Sequence, residues 1–377
     1  MRSTGMISNN VFIKIMVVFL AILFLYGPAW AKDKAEEIWV MTRNLYIGAE
    51  IQSIAAASTP QAFYEGVQRA LEQVAANDFT ERAEALAAEI VEKNPHLVGL
   101  QEVYNFTIDG TNGPLPFHDY LTILTDMLAI QGAGYRVAAV VKNLDLTILM
   151  PGVGSVGVID RDVILAREDV DTQVVDLTAG GFCRASLDGC NYHVVASAQT
   201  TPIGPINFER GVVAVDAVIG TFPVRFFNTH LEVRNVDPTN PLSPVIQAMQ
   251  AVELTAFLNL PKDENSPVIV VGDLNSSPEH MPVDIFLTPY MQLEFAGYFD
   301  VWTLRPGKPK GFTCCQAEDL LNPESILYER VDMIFCSELP INKVQANPVG
   351  NDEAYKTPSG LWPSDHAGVV ARMEFAP

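Results

Sequence analysis

The sequence predicts an α/β fold in which two packed β-sheets form the core and helices lie on the outside. Segments with strand and helix patterns alternate early in the chain, and hairpin-like strands follow in the middle. No internal repeat of fixed period and no Pro/Ser-rich linker divides the sequence into two halves. With 377 residues, 49% of them hydrophobic, we expect one large domain with a buried core.

The first segments follow from hydrophobic spacing. Ile38–Thr42 is predicted to be a strand, and the next two apolar-periodic segments, Gln61–Ala76 and Phe79–Lys93, are predicted to be helices. An Asn-Pro pair ends the second helix. Leu97–Val103 is then predicted to be a buried strand whose only charged residue is Glu102. A buried carboxylate is costly unless it is paired or binds a cation, so Glu102 is a candidate for function.

The middle of the chain mixes loops, short strands and one helix. Its predicted elements are a loop at Phe106–Pro116, a helix at Asp119–Ile130, strands at Tyr135–Val141 and Val163–Ala166, an irregular segment at Thr178–Asn191 and a hairpin of Gly211–Ile219 with Val224–Asn228. The segment Asn143–Asp160 is either a mobile flap or a wide strand connection. Its apolar part, Leu144–Val158, has either a core role or contact with a membrane surface.

The last third is predicted to contain two helices and three strands. The helices are Val245–Leu258 and Asp284–Glu294, and the strands are a β-branched run from Pro267, a strand around Asp332 and a short strand at Val369–Ala371.

The N-terminus has the pattern of a secretory signal peptide. Two basic residues flank a polar start, an apolar run follows over Ile15–Tyr26, and an Ala-Trp-Ala site ends at Ala31. The run is shorter than the about 20 apolar residues of a membrane span. We therefore expect a signal peptide over 1–31, a single domain over 32–377 without a transmembrane span, and a secreted or periplasmic protein. An uncleaved membrane anchor is the alternative.

The acidic composition limits the kind of partner. Residues 1–31 contain two basic residues and no acid, so their removal would change the net charge from −21 to −23. Such a chain, without rows of Lys and Arg, is poorly suited to tight non-specific nucleic-acid binding. Turnover of nucleic acid is still allowed, because the charges of a site can oppose the net charge. The sequence implies no stable protein partner.

Five cysteines follow the apolar run. Cys183 and Cys190 flank a short loop and are expected to form a disulfide in an oxidising compartment. Cys314 and Cys315 are adjacent, and one of them is a candidate partner for Cys336, which would leave one odd thiol.

The run after Pro267 ends in Gly-Asp-Leu-Asn, which delivers Asp273 and Asn275 into a loop. The carboxylate can take a proton from water, and the carboxamide can donate to a charged oxygen. This pairing suits attack of water on a phosphoester. Taken alone, the pair is better explained as an Asx-rich turn that closes a strand.

Other polar residues share this placement at strand ends or inside apolar strands. The set is Asn44, Glu102, His230, Asp273, Asn275, Asp332 and His366, with Asp365 beside the last. Each has a structural explanation by itself, but the shared placement predicts one common site.

The motifs around these residues resemble those of the endonuclease/exonuclease/phosphatase superfamily, which includes deoxyribonuclease-like, inositol-phosphatase-like and neutral-sphingomyelinase-like enzymes. In family order they are Arg43-Asn44-Leu45, Leu100-Gln101-Glu102, Asn228-Thr229-His230-Leu231, Gly272-Asp273-Leu274-Asn275, Arg330-Val331-Asp332 and Ser364-Asp365-His366. The resemblance implies a four-layer α/β/β/α sandwich, with two mostly antiparallel sheets flanked by helices and the site at one rim.

The resemblance also implies a metal site. Glu102 would be the main Mg²⁺ ligand, with Asn44 and Asp365 near the ion, and Mn²⁺ is an alternative metal. Mg²⁺ prefers few carboxylates, keeps waters and accepts phosphate oxygens, which suits this set.

The remaining residues would act on water and phosphate. By the resemblance, Asp273 orients or deprotonates the attacking water, and Asn275 and His230 donate to phosphate oxygens. His366 would also contact the phosphate, while Asp332 holds its ring nitrogen and favours the imidazolium.

One residue departs from the family pattern. Asp162 stands where many members have Asn, which brings a further negative charge toward the phosphate or adds a metal ligand. This departure affects the expected substrate more than the expected activity.

The sequence thus predicts a secreted, Mg²⁺-dependent phosphoesterase that acts on a nucleic acid, a phospholipid or a small phosphodiester. A sphingomyelinase-like lipid phosphodiesterase is the alternative, and a non-catalytic binding protein on the same fold is a further one.

Overall fold

The computed structural model describes residues 36–110, 113–114, 118–181, 183–198, 202–234, 242–307 and 309–376. The signal peptide expected over 1–31 and its cleavage site lie outside these residues. Glu36–Phe375 forms one compact unit. No helix within the described ranges is long and apolar enough to span a membrane.

Nineteen strands and six helices are described. The strands are β1 (Glu36–Asn44), β2 (Leu97–Gln101), β3 (Asn105–Gly110), β4 (Gly113–Pro114), β5 (His118–Asp119), β6 (Tyr135–Met150), β7 (Gly154–Arg167), β8 (Asp171–Val174), β9 (Arg184–Ser186), β10 (Gly189–Asn191), β11 (Ala196–Ala198), β12 (Ile206–Phe208), β13 (Gly211–Ile219), β14 (Phe222–His230), β15 (Val268–Asp273), β16 (Phe299–Asp300), β17 (Asp332–Cys336), β18 (Gln345–Val349) and β19 (Gly368–Phe375). The helices are α1 (Gln52–Ala55), α2 (Pro60–Ala76), α3 (Phe79–Lys93), α4 (Tyr120–Ile130), α5 (Ser243–Leu258) and α6 (Pro289–Phe295).

The strands form two large sheets and one small ribbon. Sheet 1 has the order β18-β19-β1-β2-β7-β3-β4, with β5 on β3 and β6 on β7. Sheet 2 has the order β16-β17-β15-β14-β13-β10-β9, with β8 on β13, and β11 pairs with β12. Only β1–β2 and β14–β15 pair in parallel among the described strands. The predicted mostly antiparallel sheets flanked by helices are therefore confirmed.

Alternating residues of each strand separate the layers. Val40 and Phe226 belong to the apolar core between the two sheets. Met41, which follows Val40, faces outward and packs with residues of α2, α3 and α4. Phe227, which follows Phe226, packs on the outer face of sheet 2 with residues of α5 and α6. The two-residue period of the strands thus produces three apolar layers, as expected for helices on both outer faces.

The helices follow local signals closely. The side chain of Thr59 accepts a hydrogen bond from Ala62 N and caps α2, and Asp119 caps α4 in the same way. The predicted start of α6 at Asp284 is wrong, because the helix begins at Pro289. Proline has no N–H to continue a helix and restricts the residue before it, so it favours the first helical position.

The two regions predicted to be loops or irregular contain strands. Asn105–Gly110 is β3, which pairs with β7, so the loop predicted at Phe106–Pro116 is wrong in its first half. The segment Thr178–Asn191 contains a 3₁₀ turn and the β9–β10 hairpin. Pairing with a neighbouring strand overrides weak local propensity in both cases.

The segment Asn143–Asp160 is neither open nor a simple connection. β6 and β7 pair along nearly their whole length, from Tyr135 opposite Arg167 to Met150 opposite Gly154. Ile148 and Val156 are buried in an apolar cluster with α2, whereas Leu149 is 72% exposed. The segment therefore forms most of a long hairpin, whose buried side chains pack against α2.

The cysteine prediction holds in part. A disulfide joins Cys183 and Cys190, as expected. The predicted bond to Cys336 is wrong, since Cys314 is joined to Cys315. Cys336 is a free thiol in the apolar core between the sheets. It forms no bond with Cys314 or Cys315.

Candidate active site

Strand register brings three of the predicted residues side by side at the end of sheet 2. His230 is the register partner of Asp273 in the parallel pair β14–β15. Asp273 is in turn the partner of Asp332 in the antiparallel pair β15–β17. Residues that are partners on adjacent strands point to the same face, so the three side chains form one row.

Sheet 1 supplies the opposite side of the site. Asn44 ends β1, opposite Gln101 of β2, and Glu102 follows directly. Glu102 has a positive φ of 57°, which turns the chain out of the strand. The structure thus corrects the prediction that the strand continues to Val103, and the turn aims the carboxylate of Glu102 along the rim.

Asn228, the first residue of the Asn-Thr-His-Leu motif, links the two sheets below this rim. Its Nδ2 donates to the carbonyl oxygens of Leu100 at 2.9 Å and Val163 at 3.0 Å. Its Oδ1 accepts from Gln101 Nε2 at 2.6 Å. These buried hydrogen bonds fix the separation of the sheets next to Glu102.

Asn44 connects the acids of the two sides. Its Nδ2 donates to Glu102 Oε1 at 3.0 Å and to Asp273 Oδ2 at 3.2 Å. Its Oδ1 accepts from Tyr46 N at 2.9 Å, and the second oxygen of Glu102 accepts from Ile47 N at 2.8 Å. In this arrangement Asn44 orients two carboxylates, and its own oxygen faces the backbone.

His366 lies between two acids. Its Nδ1 is 2.8 Å from Asp332 Oδ2 and 3.8 Å from Asp273 Oδ2. Burial by itself would lower the pKa of His366, but the charges of Asp332, Asp365 and Asp273 raise it well above the usual range. The ring is therefore held as an imidazolium that donates to Asp332.

His230 has the opposite protonation. Burial, together with the positive charges of Arg210 and His366, lowers its pKa well below the usual range. Arg210 Nη1 lies 3.0 Å from His230 Nδ1, and an arginine can only donate. Asn275 Nδ2 lies 3.1 Å from His230 Nε2, so a donor faces each ring nitrogen, and Nε2 also lies 3.4 Å from Asp273 Oδ2.

Asn275 completes this side. It has a positive φ of 48°, its backbone N donates to Asp273 Oδ1 at 2.8 Å, and its Nδ2 donates to Leu231 O at 2.9 Å. The same Nδ2 is 3.1 Å from His230 Nε2. The Asx-type turn considered from sequence is present, and it places the amide beside the histidine.

The groups around Asp273 shift its pKa in opposite directions. Burial and the charge of Asp332 raise its pKa, against the influence of His366, to about 7. Burial, with the charge of Asp365, also raises the pKa of Glu102. The structure thus brings all eight predicted residues to one rim. Four of them are acids, of which Asp273 and Asp332 are buried and Glu102 and Asp365 are half-buried.

The donor set near Glu102 fits a hard cation. Glu102 and Asp365 supply carboxylate oxygens. Their repulsion, which adds to burial in raising the pKa of Glu102, would be relieved by a bound divalent ion. Within the described ranges, two other groups have potential ligand atoms within 4.8 Å of one another: Asp273, Asp332 and His366, and Cys314, Cys315 and His366. The first group is already joined by the imidazolium hydrogen bond, and the second contains bonded cysteines, so neither fits Mg²⁺ as well.

A second acidic pair lies beside the site on β7. Asn143 Nδ2 donates to Asp162 Oδ2 at 2.9 Å, and one carboxylate oxygen each of Asp160 and Asp162 is buried without a hydrogen-bond partner among the described residues. Burial raises the pKa of Asp160 to about 6 and that of Asp162 well above its usual range. The departure seen at Asp162 thus places a buried acid beside the site, where burial disfavours its charged form.

Arg210 is the residue that sequence analysis missed. It lies between β12 and β13, donates to Glu232 Oε1 at 3.2 Å and contacts His230. It was missed because it ends no apolar strand, and only its position just before the Gly211 strand hints at the site.

Two buried arginines hold the backbone segments that carry the site residues. Arg43 forms a bidentate pair with Glu89, at 2.9 Å and 3.1 Å, and also donates to the carbonyl oxygen of His366. Arg82 donates to the carbonyl oxygens of Leu45 at 2.7 Å and Pro363 at 3.0 Å. Both arginines therefore fix the backbone on either side of Asn44 and before Asp365.

Comparison with known proteins agrees with this geometry. The model of the Endonuclease/Exonuclease/phosphatase family matches residues 67–366. A family protein from Bacteroides thetaiotaomicron superposes with a TM-score of 0.51 at 17% identity, over 91% of this chain and 96% of that one. A protein of the same description from Beutenbergia cavernae DSM 12333 has a TM-score of 0.51 at 18% identity, over 90% of this chain and 72% of that one.

A search of curated proteins gave no match. The likeness to the two solved structures concerns the fold. The family model covers most of the chain and spans the site residues from Glu102 to His366. The chain therefore belongs to the Endonuclease/Exonuclease/phosphatase family.

Proposed function

We propose that the protein is a divalent-metal-dependent hydrolase of phosphoric esters, with Mg²⁺ as its metal and Mn²⁺ as a substitute. The observation that carries the proposal is the meeting of Glu102, His230, Asp273 and His366 at one rim, set by strand register and cross-sheet hydrogen bonds. A purely structural explanation would have to account for four acids, two of them buried and two half-buried, around one imidazolium.

Glu102 and Asp365 would hold the metal, with Asn44 beside it. When bound, the ion supplies polarisation of the phosphoester and stabilisation of the leaving oxygen. Asn44 orients the carboxylates of Glu102 and Asp273 through its two hydrogen bonds. This keeps the acid that acts on water fixed relative to the acid that holds the ion.

Asp273 would accept the proton of the attacking water. Its Oδ1 is occupied by Asn275 N, so Oδ2 is the oxygen that faces the site. The ring N–H of His230 and the amide of Asn275 would donate to the non-bridging oxygens of the phosphate as charge builds. The imidazolium of His366, held by Asp332, adds a positive charge on the same side.

The direct test is turnover by the purified full chain with Mg²⁺. The panel includes duplex DNA, RNA, sphingomyelin, an inositol phosphate and an aryl phosphodiester, each with and without chelator. We expect hydrolysis of at least one substrate, its loss on chelation and its return with Mg²⁺ or Mn²⁺. Activity that is indifferent to chelator would reject the metal, and no turnover of any substrate would favour a non-catalytic binding protein.

Site variants test the assignment of roles. Asp273→Ala and His366→Ala should each lower turnover by at least about a hundredfold, the scale of one such group. The control is Asp126→Ala, an exposed acid on α4. Full activity in either site variant would remove this mechanism.

We also propose that the protein is exported after cleavage near Ala31, with an uncleaved anchor as the alternative. The N-terminal pattern and the disulfide between Cys183 and Cys190 support it, since disulfides persist in oxidising compartments. The mass of the protein recovered from outside the cytoplasm would test it, because an intact N-terminus would reject cleavage.

A further inference from the structure

An apolar pocket of about 110 Å³ lies beside the candidate site. One wall comes from α2, with Val67 and Leu71, and the other from the β6–β7 hairpin, with Ile148 and Val156. Every described residue that lines this pocket is Ala, Val, Ile, Leu, Phe or Tyr. In the part of the chain that the structure describes, the wall therefore offers no charge and no amide to a ligand.

The pocket borders the proposed metal site. Ile47 lines it, and the backbone N of Ile47 donates to Glu102 Oε2 at 2.8 Å. Tyr104, two residues after Glu102, lines it as well. The wall of the pocket therefore includes a residue that bonds directly to the carboxylate proposed to hold the metal.

The mouth of the pocket is apolar too. Ile51 is 37% exposed, and Ile54, Leu71 and Leu146 are half-buried although all four line the same space. The volume exceeds the about 30 Å³ that one water occupies in the liquid, but water there would lack polar partners. Apolar cavities of this size stay dry and take up apolar ligands.

These properties select the chemistry of the occupant. A nucleobase would leave its hydrogen-bonding edges unpaired against this wall, which is costly. An alkyl chain has no such edges and gains about 0.8 kcal/mol, or roughly a factor of four, for each buried CH₂.

We infer that the pocket receives an alkyl chain of the substrate, so that the enzyme acts on an amphiphilic phosphodiester of the phospholipid class. This inference rests on the proposed function, because it places the phosphate of the same molecule between Glu102 and His366. The chain then runs past Ile47 into the space between α2 and the hairpin.

The test is a series of p-nitrophenyl alkyl phosphodiesters, from methyl to octyl, used with Mg²⁺ below their aggregation concentrations. We expect kcat/KM to rise by about threefold per CH₂ over the first few carbons and then to level off as the pocket fills. A dinucleotide should be turned over less efficiently than the octyl ester. A flat profile, or a preference for the dinucleotide, would overturn the inference and leave the proposed function intact.

Variants of α2 localise the effect. Ala70 lines the pocket, and Ala70→Leu should lower the octyl-to-methyl ratio of kcat/KM at least about tenfold. Ala75 is exposed on the same helix and does not line the pocket, so Ala75→Leu should leave the ratio unchanged. Leu71→Asn, at a half-buried lining position, is a second variant that should also lower the ratio. An unchanged ratio in both lining variants would overturn the inference.

A binding measurement distinguishes failure of the proposed function from failure of the inference about the pocket. If no ester is hydrolysed, the methyl ester included, the proposed function fails, and calorimetry with decyl phosphate then decides about the pocket. Binding to the full chain that weakens at least about tenfold in Ala70→Leu, but not in Ala75→Leu, would support the pocket. Equal binding by all three proteins would overturn it.

Discussion

Two buried charged clusters lie next to each other in this protein and differ in their balance. Arg43 and Glu89 are fully buried, form a bidentate pair, and leave only backbone oxygens as further partners of the arginine. The cluster at the candidate active site consists of His366 and four acids: Glu102, Asp273, Asp332 and Asp365. Within the described residues, Asp332 Oδ1 has no hydrogen-bond partner. A balanced cluster stabilises the fold by itself, whereas an unbalanced one keeps polar atoms for a ligand.

The largest expected effect breaks the balanced cluster. Glu89→Ala leaves Arg43 buried without its counter-charge and should lower the free energy of unfolding by about 3–5 kcal/mol, measured by urea denaturation. Glu92→Ala is the matched control on the same helix, because its pair with Lys93 is exposed and should be worth less than about 1 kcal/mol. Similar losses in both variants would remove the distinction between the two pairs.

The second test concerns the cluster at the candidate active site, where we expect a substitution to lower turnover and not stability. Glu102→Gln should lower turnover by at least about a hundredfold, equivalent to about 2.7 kcal/mol in the barrier. Its stability in chelator should change little, because the neutral amide removes repulsion with Asp365 but can accept from only one of Asn44 Nδ2 and Ile47 N. Thermal unfolding provides that second measurement. A loss of stability as large as that of Glu89→Ala would show that both clusters are structural.

The third test concerns Arg210, which contacts both His230 and the buried acid Glu232. Arg210→Gln should lower stability by about 1–3 kcal/mol, because Glu232 loses its charged partner. Adding Glu232→Gln should restore much of that stability without restoring turnover. Recovery of turnover in the double variant would make Arg210 a structural residue only.

The smallest effect involves His96, a half-buried neutral residue outside both clusters. His96 accepts a hydrogen bond from Trp39 N at 3.0 Å, and burial, with the charge of Arg167, lowers its pKa to about 4. Between about pH 4 and 6.5 the unfolded chain then binds more protons than the folded one, so stability falls as the pH falls through this window.

Because His96 is partly exposed, we expect a loss of about 1 kcal/mol between pH 7 and pH 5 from this residue. His96→Asn keeps an acceptor for Trp39 N but does not titrate, so its stability should fall less over the same interval. Urea denaturation at both pH values measures the difference. Parallel losses in the two proteins would contradict the assignment.

Sequence reasoning found the parts of the site that follow from hydrophobic period. His230 and Asp273 end apolar strands, and the run of helical spacing at Phe79–Lys93 gives the helix that the structure contains. Both features are local, so spacing along the chain is sufficient to reveal them.

The parts that were missed depend on tertiary contacts. The β6–β7 hairpin has Gly and Pro residues at Pro151 and Gly152 that suggest a loop, but these form only its turn. Arg210 has no strand-end signature, and its role depends on the positions of His230 and Glu232 in the fold. Burial of Cys336 between the sheets likewise cannot be deduced from cysteine spacing.

The pairing of β14, β15 and β17 has a consequence for how this enzyme can change. Because His230, Asp273 and Asp332 are cross-strand partners, insertion of one residue into any of these strands would turn its side chain to the opposite face of the sheet. The connections between the strands carry no such constraint. New substrate preferences can therefore arise by lengthening or exchanging loops, while the spacing within the three strands must stay fixed.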